Sequence, residues 1–127
     1  MKFGVGLFGM QTHQELPYTH PDIYRNTLEQ VKLAEKANFD SAWISEHHFL
    51  DDGYCPSPVV MAAAMAAVTT KIRIGSAGII LPLHNPMKVA EDAAVVDNIS
   101  NGRFDLGVVL GYRKEEYDGM GVPMKQR

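Results

Sequence analysis

The sequence predicts an α/β fold in which a parallel sheet is covered by helices. Short apolar, strand-like runs alternate with longer segments of helical periodicity along the chain. The strand-like runs are continuously apolar, which is typical of parallel strands buried on both faces. The three helical segments begin alike, at "THP", "PSP" and "HNP", where a capping residue precedes a proline near the first helical position. Three such starts, each after a strand, predict the order βαβαβαβ.

The first half of the chain provides two strands and one helix. The run "FGVGLFG" over residues 3–9 predicts the first strand. The segment 20–37 predicts a helix, because apolar side chains recur there at helical spacing, namely Tyr24, Leu28, Val31 and Ala34. Asn38 follows as a left-handed C-terminal cap. The second strand is "SAWIS" over 41–45, which leads directly into "EHHF".

The second half repeats this pattern and adds a polar tail. The segment "SPVVMAAAMAAVTT" over 57–70 is almost wholly small or apolar and predicts a helix. The run "IRIGSAGIIL" over 72–81 predicts the third strand. The segment "PMKVAEDAAVVDNIS" over 86–100 predicts a helix that closes at "SNG", with a glycine just past its end. The run "FDLGVVLG" over 104–111 predicts the fourth strand, and the polar residues 112–127 carry no predicted element.

Composition restricts the class of protein. The 127 residues are 46% hydrophobic and 21% charged, which fits one domain over residues 1–127 with a buried core. The net charge of −3 and the lack of a basic block argue against nucleic acid as a partner. No apolar run approaches the roughly 20 residues of a membrane helix, and "MKFG" lacks the pattern of a signal peptide. Cys55 is the only cysteine, so no intrachain disulfide forms and we expect a cytoplasmic protein.

Two architectures fit this order of elements: a doubly wound open sheet, and part of a (β/α)8 barrel. Both place the ligand beyond the carboxyl ends of the parallel strands. Glu46, His47 and His48 follow the second strand at that end with no turn residue between. An imidazole exchanges protons at neutral pH, so we expect His47 to be catalytic, with Glu46 orienting an imidazole or accepting a hydrogen bond from a ligand. The alternative is structural: Glu46 and His48 cap the next loop, and His47 packs beneath it.

Small residues occupy the third strand, where a buried strand is normally bulky. Gly75, Ser76, Ala77 and Gly78 leave space for a flat ligand to approach the backbone. Close helix–strand packing or a bulge is the alternative explanation. Beyond the fourth strand, Tyr112 either lines the mouth of a pocket or covers the surface.

Two other kinds of site are not expected. None of the five histidines forms the His-Glu-x-x-His spacing, and adjacent histidines on a strand point to opposite faces, so we predict no metal site. The chain has neither a Gly-x-Gly-x-x-Gly sequence after the first strand nor a Walker lysine, which argues against a dinucleotide or P-loop site.

Taken in order, these segments resemble the bacterial luciferase-like flavin monooxygenase family. The similarity extends from "MKFG" through "FDSAWISEHHF" and "LPLHNPMKVAEDAAVVDNISNGRF" to "EEYDGMGVP", and so covers essentially the whole chain. The "EHHF" motif and the long block are its specific parts. The resemblance implies a (β/α)8 TIM-barrel type of fold that holds a flavin at the carboxyl ends of the strands.

The resemblance also implies a reaction and its site. Members use reduced FMN and dioxygen to oxidise aldehydes or other small organic substrates, with a flavin reductase as a partner. Others use the deazaflavin coenzyme for hydride transfer, which needs no dioxygen. By position, His47 matches the catalytic histidine of the family, and Glu46 lies beside the flavin site. Ala77–Gly78 matches the place where the family carries a non-proline cis peptide under the isoalloxazine ring.

Two positions depart from the luciferases proper. Val109 stands where they have a reactive cysteine near the flavin, and Leu110 where they have an arginine that helps to hold the FMN phosphate. We assign Val109, Leu110 and Tyr112 to the cofactor site, and expect a general oxidoreductase rather than light emission from a long-chain aldehyde.

Length is the larger departure. A (β/α)8 barrel takes about 250 residues, so the chain represents only about its first half, from the first strand to the fourth. An open half-sheet leaves strand edges unpaired, which predicts a homo-oligomer in which two copies pair edge to edge. The alternative is a non-catalytic half-barrel fragment that is active only with a second half.

Overall fold

The computed structural model describes residues 1–8, 10–12, 15 and 17–127, apart from the side chain of residue 126. The helices are α1 His20–Lys36, α2 Pro58–Ala67, α3 Pro86–Ser100 and α4 Lys114–Met120. The strands are β1 Gly4–Gly6, β2 Ser41–Ile44, β3 Arg73–Ser76, β4 Ile79–Ile80, β5 Phe104–Asp105 and β6 Val108–Val109. Residue 9, the predicted end of the first strand, and His13, one of the five histidines, lie outside the described residues. None of the helices described is both long and apolar enough to cross a membrane.

The strands run parallel, as predicted. β1, β2, β3 and β5 form one sheet in that order, with Gly6, Trp43 and Gly75 side by side. β4 pairs with β6 in a second parallel ladder. Because α1, α2 and α3 return the chain between successive strands, the carboxyl ends of the strands lie together at one end of the sheet. We call this end of the sheet the carboxyl-terminal rim, and it comprises segments 45–48, 77–84 and 106–112.

One face of the sheet packs against the helices, and the other is open. Ala42 and Ile44 of β2 are fully buried in one core with Val31 of α1 and Met65 of α2. Trp43, between them in sequence, lies half-buried on the opposite face. Even residues of this strand therefore point towards the helices, and odd residues point towards the open face of the sheet.

Local capping groups fix the helix ends near their predicted positions. Asp22 accepts a hydrogen bond from the Thr19 N–H at 2.8 Å at the start of α1. The side chain of Asn85 accepts from two backbone N–H groups in the first turn of α3, whose bounds agree with the prediction. Asn38 and Asn101 have φ of 62° and 57°, the left-handed conformation that ends a helix. The cap at Asn85 and the left-handed Asn38 were predicted, because they depend on neighbours in sequence; at the end of α3 the left-handed cap is Asn101, one residue before the predicted Gly102.

The second helix is shorter than the predicted span of 57–70. The backbone N–H groups of Thr70, Lys71 and Ile72 all donate to Glu35 Oε1, at 2.8, 2.6 and 3.0 Å. The Glu35 carboxylate of α1 thus accepts the hydrogen bonds of the backbone N–H groups that follow α2. The chain there leads into β3, and the helix ends at Ala67.

Two of the predicted strands are interrupted. The predicted strand 72–81 divides into β3 and β4 around Gly78, whose φ is 139°. The predicted strand 104–111 divides into β5 and β6 around Gly107, where an added Cβ would lie 2.2 Å from the carbonyl oxygen of Ser76. Only a residue without a side chain allows this approach. The breaks arise from contacts between separate strands, so a continuous apolar run does not reveal them.

The polar segment 112–127, to which no element was assigned from the sequence, contains a short helix. α4 occupies part of this segment and ends at Gly121, which has φ of 69°. Glu115 and Glu116 lie in its first turn, where negative charge interacts favourably with the helix N-terminus. This helix returns a carboxylate to the carboxyl-terminal rim.

Candidate active site

The segment after β2 brings its three titratable side chains to the rim on opposite sides. Glu46 and His48 continue the even-numbered, buried face of the strand and are only 2% and 7% exposed. His47 continues the opposite face, with about a quarter of its side chain exposed. The backbone N–H of His47 donates to the carbonyl of Cys55 at 3.2 Å, which holds this segment in place.

His47 contacts a carboxylate and two aromatic rings. Its Nδ1 lies 2.8 Å from Oε1 of Glu116, which is carried by α4. The ring of Tyr54 meets it edge-on, with centroids 4.8 Å apart, and that of Tyr112 does so at 6.1 Å. The Tyr54 hydroxyl in turn forms a hydrogen bond with Ser45. The imidazole is therefore oriented from several sides while part of it stays accessible.

Glu116 is fully buried and has very different surroundings at its two oxygens. Oε1 accepts from the backbone N–H of His48 at 3.0 Å as well as facing His47, and Arg113 Nη1 lies 3.7 Å away. Oε2 is buried and has no hydrogen-bond partner within the described part of the chain. The sequence patterns missed this residue, since it lies in the polar tail. An available signal was its position shortly after the fourth strand, where the rim of a parallel array is built.

Glu46, His48 and His84 form a second cluster, which we call the Glu46 cluster. Oε1 of Glu46 lies 2.6 Å from Nε2 of His48 and 2.6 Å from Nε2 of His84. Oε2 accepts the backbone N–H of Ile80, also at 2.6 Å. The carboxylate thus joins the ends of β2 and β4 and the start of α3.

The electrostatics of this cluster favour an ion pair. Burial favours the neutral acid, but hydrogen bonds from His84, the Ile80 N–H and His48 outweigh it and hold the pKa of the Glu46 carboxyl below its ordinary value. The hydrogen bond to Glu46 raises the pKa of His84 above its ordinary value, although partial burial opposes this. A negative Glu46 beside a positive His84 is the preferred state at slightly acidic pH.

The cluster also contains the atoms of a conceivable metal site. One ligand atom from each of Glu46, His48 and His84 lies within 4.8 Å of the other two. The short nitrogen–oxygen distances are those of hydrogen bonds, which already use these atoms. The absence of a metal therefore stays a prediction. The grouping itself was missed, because His84 lies far along the chain from "EHHF".

The small-residue segment lies at the same rim as His47. The Ala77 N–H donates to the carbonyl of Ile44 at 2.5 Å, which ties the end of β3 to the end of β2. A Cβ added at Gly78 would lie 2.8 Å from Val109 Cγ1. The two predicted cofactor residues Gly78 and Val109 are therefore in direct contact.

The expected cis peptide at Ala77–Gly78 is wrong for this structure. No cis bond occurs among the described residues. The trans form of a non-proline peptide is favoured by about 3–4 kcal/mol. Here the chain turns through the positive φ of Gly78 instead, which glycine adopts at little cost.

Val109 and Leu110 line a cavity of about 400 Å³ together with Leu81, Pro82 and His84. Leu110 and Tyr112 are largely exposed, at 60% and 73%. His47 does not line this cavity. The structure brings the predicted residues to one rim, but not into one enclosed pocket.

A larger cavity, of about 730 Å³, lies at the opposite end of the strands. Its lining includes Asp40, Arg73 and Asp105, and the last two form a salt bridge. At the amino-terminal end of barrel strands, such residues usually contribute to stability, whereas catalytic residues gather at the carboxyl end. We therefore regard the rim as the candidate active site despite the smaller cavity there.

Known proteins show extended similarity to the chain. A family model described as luciferase-like monooxygenase matches residues 1–127. The alkanal monooxygenase alpha chain of Photorhabdus laumondii is 32% identical over 124 residues, which cover 98% of this chain and 34% of the relative. The oxygenase component of flavin-dependent trigonelline monooxygenase from Acinetobacter baylyi is 32% identical over 102 residues, which cover 80% of this chain and 28% of the relative. The chain spans about a third of the length of these curated relatives.

Solved structures have a backbone fold similar to that of this chain. Monooxygenase RslO1 from Streptomyces bottropensis matches with a TM-score of 0.90 and 30% identity, covering 99% of this chain and 38% of the larger one. The coenzyme F420 dependent tetrahydromethanopterin reductase from Methanopyrus kandleri matches with a TM-score of 0.72 and 26% identity, covering 96% of this chain and 30% of that one. These matches confirm the predicted (β/α)8 barrel type, of which the chain forms a part.

Proposed function

Because the chain belongs to the luciferase-like monooxygenase family, we propose that it is the N-terminal portion of a flavin-dependent monooxygenase. The proposed reaction uses reduced FMN and dioxygen to oxidise a small organic, aldehyde-like substrate. The observation that carries the proposal is the His47–Glu116 pair, which lies at the same carboxyl-terminal rim as the small-residue segment around Gly78. A partly exposed imidazole held by a buried carboxylate is suited to proton transfer.

The rim fits the ring of a flavin better than its phosphate. The methyl groups of Val109 occupy the space where a side chain at Gly78 would lie, so the surface at this point is apolar and carries no charge. The cavity at Val109 and Leu110 is lined mainly by apolar side chains. Among the described residues that line it, none is a lysine or arginine. We infer that Ala77, Gly78, Val109, Leu110 and Tyr112 contribute to the ring site.

His47 is the proposed proton-handling residue. When bound, reduced flavin supplies the electrons that activate dioxygen for oxidation of the substrate. The part of the His47 ring that is not engaged by Glu116 remains able to accept or donate a proton at the reacting atoms. Apolar side chains such as Val109 and Leu110 would limit the access of water to the ring in the cavity that they line.

Glu46 is proposed to act by positioning. Its two oxygens are occupied by His48, His84 and the Ile80 N–H, so its effect on a flavin passes through the shape of the rim. Direct contact with the cofactor would require one of these hydrogen bonds to open.

Replacement of His47 by alanine tests this function. Turnover should fall roughly 100-fold, while the Kd for reduced FMN stays nearly unchanged. The measurement is oxidation of an alkanal test substrate in the presence of a flavin reductase, made on the chain assembled with its partner. His20→Ala, at an exposed position in α1, is the matched control. Unchanged turnover in the His47 variant would reject the catalytic role.

The second candidate is hydride transfer with a deazaflavin coenzyme. It is favoured by the similarity to the coenzyme F420 dependent reductase. The same rim would hold the ring, and dioxygen would not be needed. Substrate oxidation under anaerobic conditions with the deazaflavin, but not with FMN, would select this candidate.

Further proposals concern partners and location. Val108 and Val109 form an exposed strand, which supports pairing with a second copy or with a second half of the barrel. We propose that the chain without such a partner is inactive, and that sedimentation will show an oligomer. Cys55 is a free, buried thiol, which supports a cytoplasmic location.

A further inference from the structure

We propose that Glu116 is a positioning residue that selects the tautomer of His47, with the proton on Nδ1 and a free Nε2 as proton acceptor. The proposal rests on the function inferred for His47, and it concerns how that imidazole is prepared for proton transfer. Neutral imidazole has one protonated nitrogen, and the partner of one nitrogen determines the state of the other.

The contacts of Glu116 Oε1 define this tautomer. A carboxylate oxygen accepts hydrogen bonds, so the 2.8 Å contact requires a proton on Nδ1 of His47. The N–H of His48 donates to the same oxygen at 3.0 Å. That bond comes from rigid backbone, so it fixes the position of the oxygen relative to the end of β2. Nε2 of His47 has no hydrogen-bond partner within the described part of the chain, and the ring is about a quarter exposed.

The other oxygen argues against a purely structural carboxylate. The Glu116 side chain is fully buried, and its Oε2 has no hydrogen-bond partner among the described residues. Buried polar atoms are normally paired, because an unpaired acceptor loses its hydration without compensation. Arg113 Nη1 lies 3.7 Å from Oε1 and donates to the carbonyl of His48 at 3.5 Å. Its positive charge therefore lies near Oε1, the oxygen that faces His47.

Nitrogen-15 shifts of the His47 ring test the tautomer directly. They are read from long-range proton–nitrogen spectra at mildly alkaline pH, where an ordinary imidazole is neutral. We expect a protonated Nδ1 and an unprotonated Nε2 in the unaltered protein. Glu116→Leu removes the acceptor and should shift the ring towards protonated Nε2. Glu116→Gln should keep the original tautomer, because the His48 N–H selects the amide oxygen.

Glu115→Gln is the matched control, since this residue is exposed on the same helix and should leave the shifts unchanged. A ring protonated mainly on Nε2 in the unaltered protein would overturn the proposal, as would a Glu116→Leu ring with unaltered shifts. If Glu116→Leu does not fold, the unaltered protein and Glu116→Gln decide the matter. The spectra need neither flavin nor substrate, so this outcome is independent of whether His47 proves to be required for turnover.

Discussion

Replacing His84 by glutamine isolates the charge in the Glu46 cluster. His84 donates to Oε1 of the buried Glu46 at 2.6 Å. A glutamine amide can still donate at this position, but it carries no charge. Hydrogen bonds to charged groups contribute about 1.5–3 kcal/mol, and neutral ones about 0.5–1.5 kcal/mol. Because nearly a third of the His84 side chain is exposed to water, we expect a difference near the lower end, about 1 kcal/mol in the free energy of unfolding.

The effect should depend on pH with a definite sign. The pKa of His84 is raised above 6.5 in the folded state, so its stabilisation is complete below 6.5 and is lost as pH rises through the folded-state pKa. The pKa of Glu46 is lowered from 4.5, so its stabilisation is complete above 4.5 and is lost as pH falls through its folded-state pKa. Both contributions are therefore present between 4.5 and 6.5.

Urea unfolding of the unaltered protein and His84→Gln provides the assay. The unaltered protein should be more stable by about 1 kcal/mol at about pH 5.5, and this advantage should disappear by about pH 9. His20→Gln, an exposed substitution in α1, should change stability little at either pH. A His84→Gln penalty of the same size at both pH values would show that packing, and not charge, links His84 to Glu46.

Three further substitutions test the contacts that build the fold. Gly107→Ala should lower the unfolding free energy by about 3 kcal/mol, because its Cβ meets the Ser76 carbonyl. Gly102→Ala meets no atom within 4 Å and should cost only about 1 kcal/mol, from the strain of a side chain at φ of 78°; equal losses in urea would contradict this. Glu35→Ala removes the acceptor of three backbone N–H groups and should cost about 1–3 kcal/mol, so an unchanged urea midpoint would refute the assigned role. Asn85→Ala removes the cap of α3 and should cost about 0.5–2 kcal/mol in thermal unfolding, whereas no loss would mean that water replaces the cap.

The parts of the fold set by local sequence were predictable. The Asn85 cap and the left-handed Asn101 bound α3, and both act within a few residues of the helix ends. The break at Gly107 was not predictable, because it depends on the approach of the Ser76 carbonyl from another strand. The early end of α2 depends in the same way on Glu35, which α1 supplies.

In the candidate site too, some residues could be expected from the sequence and others could not. His47 and the small-residue segment around Gly78 were expected at one rim, because parallel strands bring their carboxyl ends together. Glu116 and His84 were not expected, since their partners His47 and Glu46 lie 69 and 38 residues away in sequence. No periodic pattern encodes a contact between a strand end and a helix that distant.

The most direct test of a flavin site at the carboxyl-terminal rim is amide chemical-shift mapping during titration with FMN. The largest changes should fall at Ala77, Gly78 and Val109, because these residues contribute to the proposed ring site. Changes confined to Asp40 and Arg73, around the larger cavity at the opposite end of the strands, would contradict it.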